Sequence, residues 1–134
     1  MQALDPAPLV AEAQTVGDLL GRTQVLGVCL GHQLLALATG HETFKLPFGH
    51  RGANHPVLDH RSNQVLVTSQ NHGFAVAGGD DTPVTHTSLY DGTVEGLSYP
   101  AERARSAQFH PEATPGPHDA ASIISTWVDD LRTA

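Results

Sequence analysis

A chain of 134 residues with 40% hydrophobic and 16% charged side chains has the composition of one ordinary globular domain. Seven basic against fourteen acidic side chains leave a formal charge of −7, which argues against sequence-independent binding to nucleic acid, and no apolar run approaches the ~20 residues that span a bilayer. A single cysteine excludes an internal disulfide framework and, with no basic and apolar leader at Met1–Pro6, fits a reducing cytoplasm.

In chain order, the first predicted element is a helix from Pro8 to Leu20, with Leu9, Ala13, Val16 and Leu20 on one stripe, Asp5 able to cap its start and Gly21 able to close its end. A short buried strand follows at Val25–Cys29, then a helix beginning near Gln33 and stopped by Gly40. Six strand-like segments come next: Glu42–Leu46, Gln64–Ser69, Phe74–Ala77, Val84–Ser88, Val94–Leu97 and Ala104–Phe109, separated by turn-rich pieces such as Tyr90-Asp91-Gly92. A last helix from about Asp119 to Leu131 would bury Ala120, Ile124, Trp127 and Leu131, with Ile123 and Val128 beside them. Helix, strand, helix at the start predicts an α/β domain with a mixed, mostly parallel sheet flanked by helices. Crossover connections require a strand before the first helix, and only Met1–Leu4 is available for it. The expectation is a chain that starts inside a domain and lacks its N-terminal strands.

The densest chemistry lies in Gly27-Val28-Cys29-Leu30-Gly31-His32-Gln33. A G-x-C-x-G turn between strand and helix has the geometry of a nucleophile elbow, with glycines on both sides permitting a tight turn. The sulfur then sits at the positive end of a helix, which favours thiolate over thiol. A thiolate that attacks an acyl carbon needs a base, and the base needs an orienting group. Among nine histidines, His110 stands out, because it ends a strand-like run and is followed by Pro111 and Glu112. Proline keeps the chain extended, so His110 and Glu112 project to one side, and Glu112 can fix the ring's tautomer. His50, His55 and His60 are evenly spaced, but they match no metal-binding pattern and no second cysteine exists, so the reading holds no metal and no cofactor. Gly49-His50-Arg51-Gly52 fits a G-x-x-G backbone clamp for RNA only by chance in so acidic a chain.

The cysteine elbow with His110-Pro111-Glu112 resembles the signature of the class I, triad-type glutamine amidotransferases. Phe48–Pro56, Thr68–Phe74 and Pro115–Ala120 narrow the resemblance to the small chains of glutamine-hydrolysing carbamoyl-phosphate synthases, with residues 1–134 as the C-terminal part of the amidotransferase domain. The resemblance implies Cys29 as nucleophile, His110 as acid and then base, and Glu112 as its orienter. It also implies that Leu30, Gln33, Asn71, Gly73 and Phe74 contact L-glutamine, and that ammonia passes to a synthase large chain. In such small chains a Gly-Pro-Gly loop precedes the segment matching Asp5–Pro8 and completes the oxyanion hole, whereas Met1–Leu4 stands there in this chain. Two other expectations stay open beside a glutaminase: a silent fragment or interaction module, and a related γ-glutamyl thiol hydrolase.

Overall fold

The computed structural model describes residues 5, 6, 8–79, 81–110, 123, 125–127 and 129. Helix α1 spans Val10–Leu19 and strand β1 spans Val25–Val28. Helix α2 covers Leu30–Ala38, after which come strands β2 (Glu42–Asp59), β3 (Gln64–Ala77), β4 (Val84–Ser88), β5 (Val94–Tyr99) and β6 (Ala104–Ala107). Among the described residues these strands form one sheet in the order β1-β6-β5-β3-β2-β4. The α/β class and the mixed sheet match expectation; the share of parallel pairing does not. Only β1 and β6 run parallel, and the remaining pairs are antiparallel. The helix-first pattern of the opening residues implied parallel crossovers, but the described strands hold one parallel pair, β1 with β6. The pairs β2–β3, β4–β5 and β5–β6 join consecutive strands, and β2–β4 and β3–β5 pair antiparallel across an intervening strand.

The largest departure is the β2–β3 hairpin. Phe48–Pro56 and Gln70–Gly73, which lie between or beyond the strand-like segments expected from sequence, are strand. Glu42–Asp59 runs unbroken against Gln64–Ala77, with register shifts between Lys45 and His50 and between Gly52 and His55. Pro47, Gly49 and Gly52 therefore mark bulges rather than chain reversals, the role that glycine and proline take inside long strands. Strand β1 is also less buried than a central strand, with Leu26 40% exposed, because it is the outermost strand among the described residues.

Helix α1 is shorter than its sequence pattern at both ends, and no side chain caps its N-terminus. Leu20 rather than Gly21 closes its end, donating its N–H to the Gly17 carbonyl, with Gly21 at φ 79° in the turn that follows. Two apolar clusters hold the layers together. One joins Val57, Leu66, Ala107 and Phe109 to Ile123 and Trp127, with Val28 packed against it. The other joins Ala36 of α2 to Val76, Val94 and Leu97. Ile123 and Trp127 are helical and buried as expected for the last helix, while Ala120, Ile124, Val128 and Leu131 lie outside the described residues.

The two glycines of the elbow differ in what they do. A Cβ on Gly27 would stand 2.6 Å from the Gly31 carbonyl oxygen, so the strand and the helix meet too closely for any side chain there. A Cβ on Gly31 would meet no described atom within 4 Å. Gly27→Ala is expected to destabilise the fold by ~1–3 kcal/mol through overpacking against backbone. Gly31→Ala is expected to be neutral or to stabilise by up to ~1 kcal/mol, since alanine is the better helix former. Thermal unfolding of the two variants checks the contrast.

Candidate functional site

The parallel pair β1–β6 sets the site. Val28 is in register with Ala107, so Cys29 and the Gln108–His110 segment leave the sheet side by side at the carboxyl ends of adjacent strands. That edge is where open α/β sheets gather their ligands. The Cys29 N–H donates to the Ala107 carbonyl at 2.9 Å, which ties the elbow to β6. Cys29 itself adopts φ 55° and ψ −108°, a region that a non-glycine residue occupies at a cost of ~1–3 kcal/mol and that recurs at nucleophile turns. Helix α2 begins at the next residue, earlier than the sequence pattern suggested. The Leu30 N–H is thus one of the first-turn donors with no acceptor inside the helix, and the helix dipole is aimed at the sulfur.

Around the thiol the described residues close a polar ring. The Cys29 Sγ lies 4.0 Å from the Asn71 carbonyl oxygen and 4.0 Å from Gln108 Nε2. Gln108 Nε2 also reaches the Cys29 carbonyl at 3.5 Å. Buried Gln33, one turn into α2, donates through Nε2 to the Phe74 carbonyl at 2.9 Å and to Gln108 Oε1 at 3.0 Å. His110 is half-buried, and its N–H donates to the Ser69 carbonyl at 2.9 Å, which anchors this segment against β3. The site residues anticipated from sequence at positions 29, 30, 33, 71, 73, 74 and 110 all fall on α2, β3 or the residues just beyond β1 and β6. Glu112 lies outside the described residues.

Sequence reasoning missed Gln108 and a buried cluster behind β3. In that cluster His50 Nε2 lies 2.7 Å from Asp91 Oδ2, and His50 Nδ1 lies 3.2 Å from Glu95 Oε1 and 3.0 Å from Gln70 Oε1. His72 Nε2 is 2.8 Å from the same Gln70 oxygen, and His72 Nδ1 is 2.7 Å from the Phe74 carbonyl. A neutral ring carries one N–H, so His72 can donate to only one of these two acceptors at a time. The available signal was period-two burial: Thr68, Gln70 and His72 alternate along β3 and all three are buried.

The electrostatics divide these rings. The ion pair with Glu95, opposed by burial and helped by Asp91, raises His50 to about 9. Burial lowers His72 to about 4, despite its bond to Phe74 O, and the neighbouring His50 and His55 push the same way. Burial raises Glu95. His32, fully buried and bonded through Nδ1 to Ser106 Oγ at 2.7 Å, is lowered by burial to about 3. Nitrogen and oxygen atoms of His50, His72 and Glu95 converge within 4.8 Å, a spacing that would admit a metal ion. The His50 ring is already protonated between two carboxylates, so the donor set suits a shared proton better than a cation.

The chain resembles known proteins in both sequence and fold. The sequence profile described as glutamine amidotransferase class-I matches residues 5–129. The carbamoyl phosphate synthase small chain of Syntrophotalea carbinolica is 52% identical over 128 residues, covering 93% of this chain and 34% of that protein. The chloroplastic small chain of Arabidopsis thaliana is 45% identical over 133 residues, covering 96% of this chain and 30% of that protein. The chain thus spans about a third of the length of these relatives. Among solved structures, a glutamine amidotransferase of Thermotoga maritima superposes with a TM-score of 0.68 at 23% identity, over 99% of this chain and 60% of that one. A Thermotoga maritima assembly named PurLQS gives 0.66 at 16% identity, over 91% and 66%. At those identities the structural likeness speaks for the fold.

The buried rings make stability depend on pH in two opposite ways. Below 6.5 the unfolded chain takes up a proton that folded His32 refuses until about 3, so stability falls as pH drops through that window. The contribution of His50 is complete below 6.5 and is lost as pH rises to about 9, where the folded ring gives up its proton. The melting temperature is therefore expected to peak at about pH 6–7, and His32→Gln is expected to flatten the acid limb. Melting curves of both proteins across pH 4–9, an interval set to about the span of these shifts, check both slopes.

Proposed function

Because the chain belongs to the class-I glutamine amidotransferase family, we propose that it carries out the glutaminase step of a carbamoyl-phosphate synthase and delivers ammonia to a synthase large chain. The observation that carries this reading is the strained elbow, with Cys29 at positive φ on the same sheet edge as His110. The Cys29 thiolate attacks the side-chain amide carbon of glutamine, and the Leu30 N–H donates to the oxyanion that forms. His110, oriented by Glu112, gives a proton to the leaving nitrogen, and ammonia departs from a γ-glutamyl thioester. His110 then takes a proton from water, the hydroxide attacks the thioester carbon, and glutamate leaves as the thiol is restored.

The glutamine contacts belong to the same proposal. Leu30 and Gln33 present the first turn of α2, and Asn71, Gly73 and Phe74 present one stretch of β3. Both N–H groups of Gln33 are engaged by Phe74 and Gln108, which leaves its Oε1 to accept from a substrate ammonium or amide. Ammonia released here would enter carbamoyl phosphate, a precursor for pyrimidine and arginine biosynthesis, in the cytoplasm. The described residues contain no helix long and apolar enough to cross a membrane.

Glutamate release from glutamine, followed with and without an added synthase large chain, tests the reading. Cys29→Ala is expected to lower turnover by ~10³–10⁶-fold, as removal of a nucleophile does in other covalent hydrolases. Acid quenching during turnover is expected to trap a γ-glutamyl adduct on Cys29. Equal release by wild type and Cys29→Ala, in the presence of the large chain, would overturn the proposal. Release that is independent of the large chain would favour a γ-glutamyl thiol hydrolase instead.

A further inference from the structure

Close polar contacts behind β3 run from a buried charged cluster toward the thiol, and the single N–H of His72 closes one of its two contacts at a time. On β2, the residues His50, Arg51 and Gly52 pair with His72, Asn71 and Gln70, and the register slips on both sides of this three-residue patch. A patch bounded by two slips takes little alignment from the ladder around it. Its alignment comes from side chains. Gln70 Nε2 donates to Thr68 Oγ1 at 2.9 Å, and Thr68 Oγ1 donates to the His55 carbonyl at 2.7 Å. That arrangement commits the Gln70 amide to present its oxygen to His50 and His72.

From there the path runs through His72 to the Phe74 carbonyl, then through Gln33 to Gln108 beside Cys29. Every side chain along it from His50 to Gln108 is buried. The groups facing His50 are Asp91 from the turn before β5, Glu95 from β5, His72 from β3 and His55 from β2. The charged ring is therefore held from three elements, and among the described residues its one donated bond outside the carboxylates goes to Gln70.

We propose that the His50–Asp91–Glu95 cluster is a positioning device for the Asn71–Phe74 segment, fixing the geometry in which that segment meets glutamine without itself touching the substrate. The proposal rests on the reading of Asn71, Gly73 and Phe74 as glutamine contacts. Its action is indirect: Glu95 and Asp91 keep His50 charged, His50 and Thr68 lock the Gln70 amide, and the locked amide decides whether the single His72 N–H goes to Gln70 Oε1 or to the Phe74 carbonyl. Loss of the charge frees Gln70 and His72 to reorient, and the segment loses its registration on α2.

The test uses a diazoketone analogue of glutamine, whose electrophilic carbon lies at the amide position and alkylates the nucleophile. Labelling of Cys29 is read by intact mass in wild type, Glu95→Gln and His50→Gln, with iodoacetamide as a reagent that needs no binding site. Glu95→Gln keeps the volume and removes the charge; it decides the matter alone if His50→Gln fails to fold. The expected result is a half-saturating analogue concentration raised by about tenfold or more, with a limiting rate within about threefold of wild type. In wild type that concentration is expected to climb as pH passes about 9, and in Glu95→Gln the rise is expected at least ~1 pH unit lower. A half-saturation within about twofold and an unmoved alkaline limb would overturn the proposal.

If the analogue leaves wild-type Cys29 unlabelled while iodoacetamide alkylates it, the glutamine reading fails. Positioning is then judged by amide hydrogen exchange over residues 70–74, normalised to the intrinsic rate. Faster exchange in Glu95→Gln by about fivefold or more sustains it, and equal exchange in the two proteins overturns it.

Discussion

Everything at this site depends on the close approach of Gly27 to Gly31. The strand must end and the helix begin within one residue, and the backbone contact at Gly27 leaves no volume for a side chain. Cys29 is consequently held at φ 55°, a conformation it would leave if either flank relaxed. The parallel ladder to β6 and the Cys29 N–H bond to Ala107 supply the opposing hold. Strain in the turn and order in the sheet are two sides of one constraint.

The hairpin β2–β3 answers a different need. A stretch of strand packed on a helix end has to be rigid, yet β3 must depart from regular pairing to bring Asn71 and Phe74 against α2. Bulges provide the departure and buried polar side chains provide the rigidity. This explains why so much hydrogen-bonding capacity is buried beneath a short stretch of strand: Thr68, Gln70, His50, His72 and Glu95 are all buried, and each holds at least one polar partner, Glu95 through Oε1 alone among the described residues. Apolar residues there would pack as well but would not fix a rotamer or the direction of an amide.

The elbow and its relation to His110 were legible in the sequence because tight-turn chemistry and X-Pro restriction act over a few residues. Cys29 and His110 could be named from motifs of that length, whereas Gln33 and Asn71 came only with the family resemblance. The hairpin was not legible as one unit, because Pro47, Gly49, Gly52 and Gly73 carry the same local signal at a bulge as in a loop, and only cross-strand pairing distinguishes the two. His50 and Glu95 were hidden for another reason. Their meaning comes from a contact between β2 and β5 that no local pattern encodes, and a histidine in a mixed-polarity stretch reads as ordinary surface. Gln108 lay two residues before His110 in sequence, yet its role depends on α2, 75 residues upstream.

Those long separations also have a kinetic meaning. Gln108 and Cys29 are 79 residues apart, and the pairing of β1 with β6 closes a loop of that size. Pairings of this kind carry a large entropic cost and are late events in chain collapse. Until they form, nothing compels the cysteine into its strained backbone or sets its sulfur on an ordered helix end. Until then the cysteine is free to take ordinary backbone angles. The strained turn is among the last features that the chain acquires.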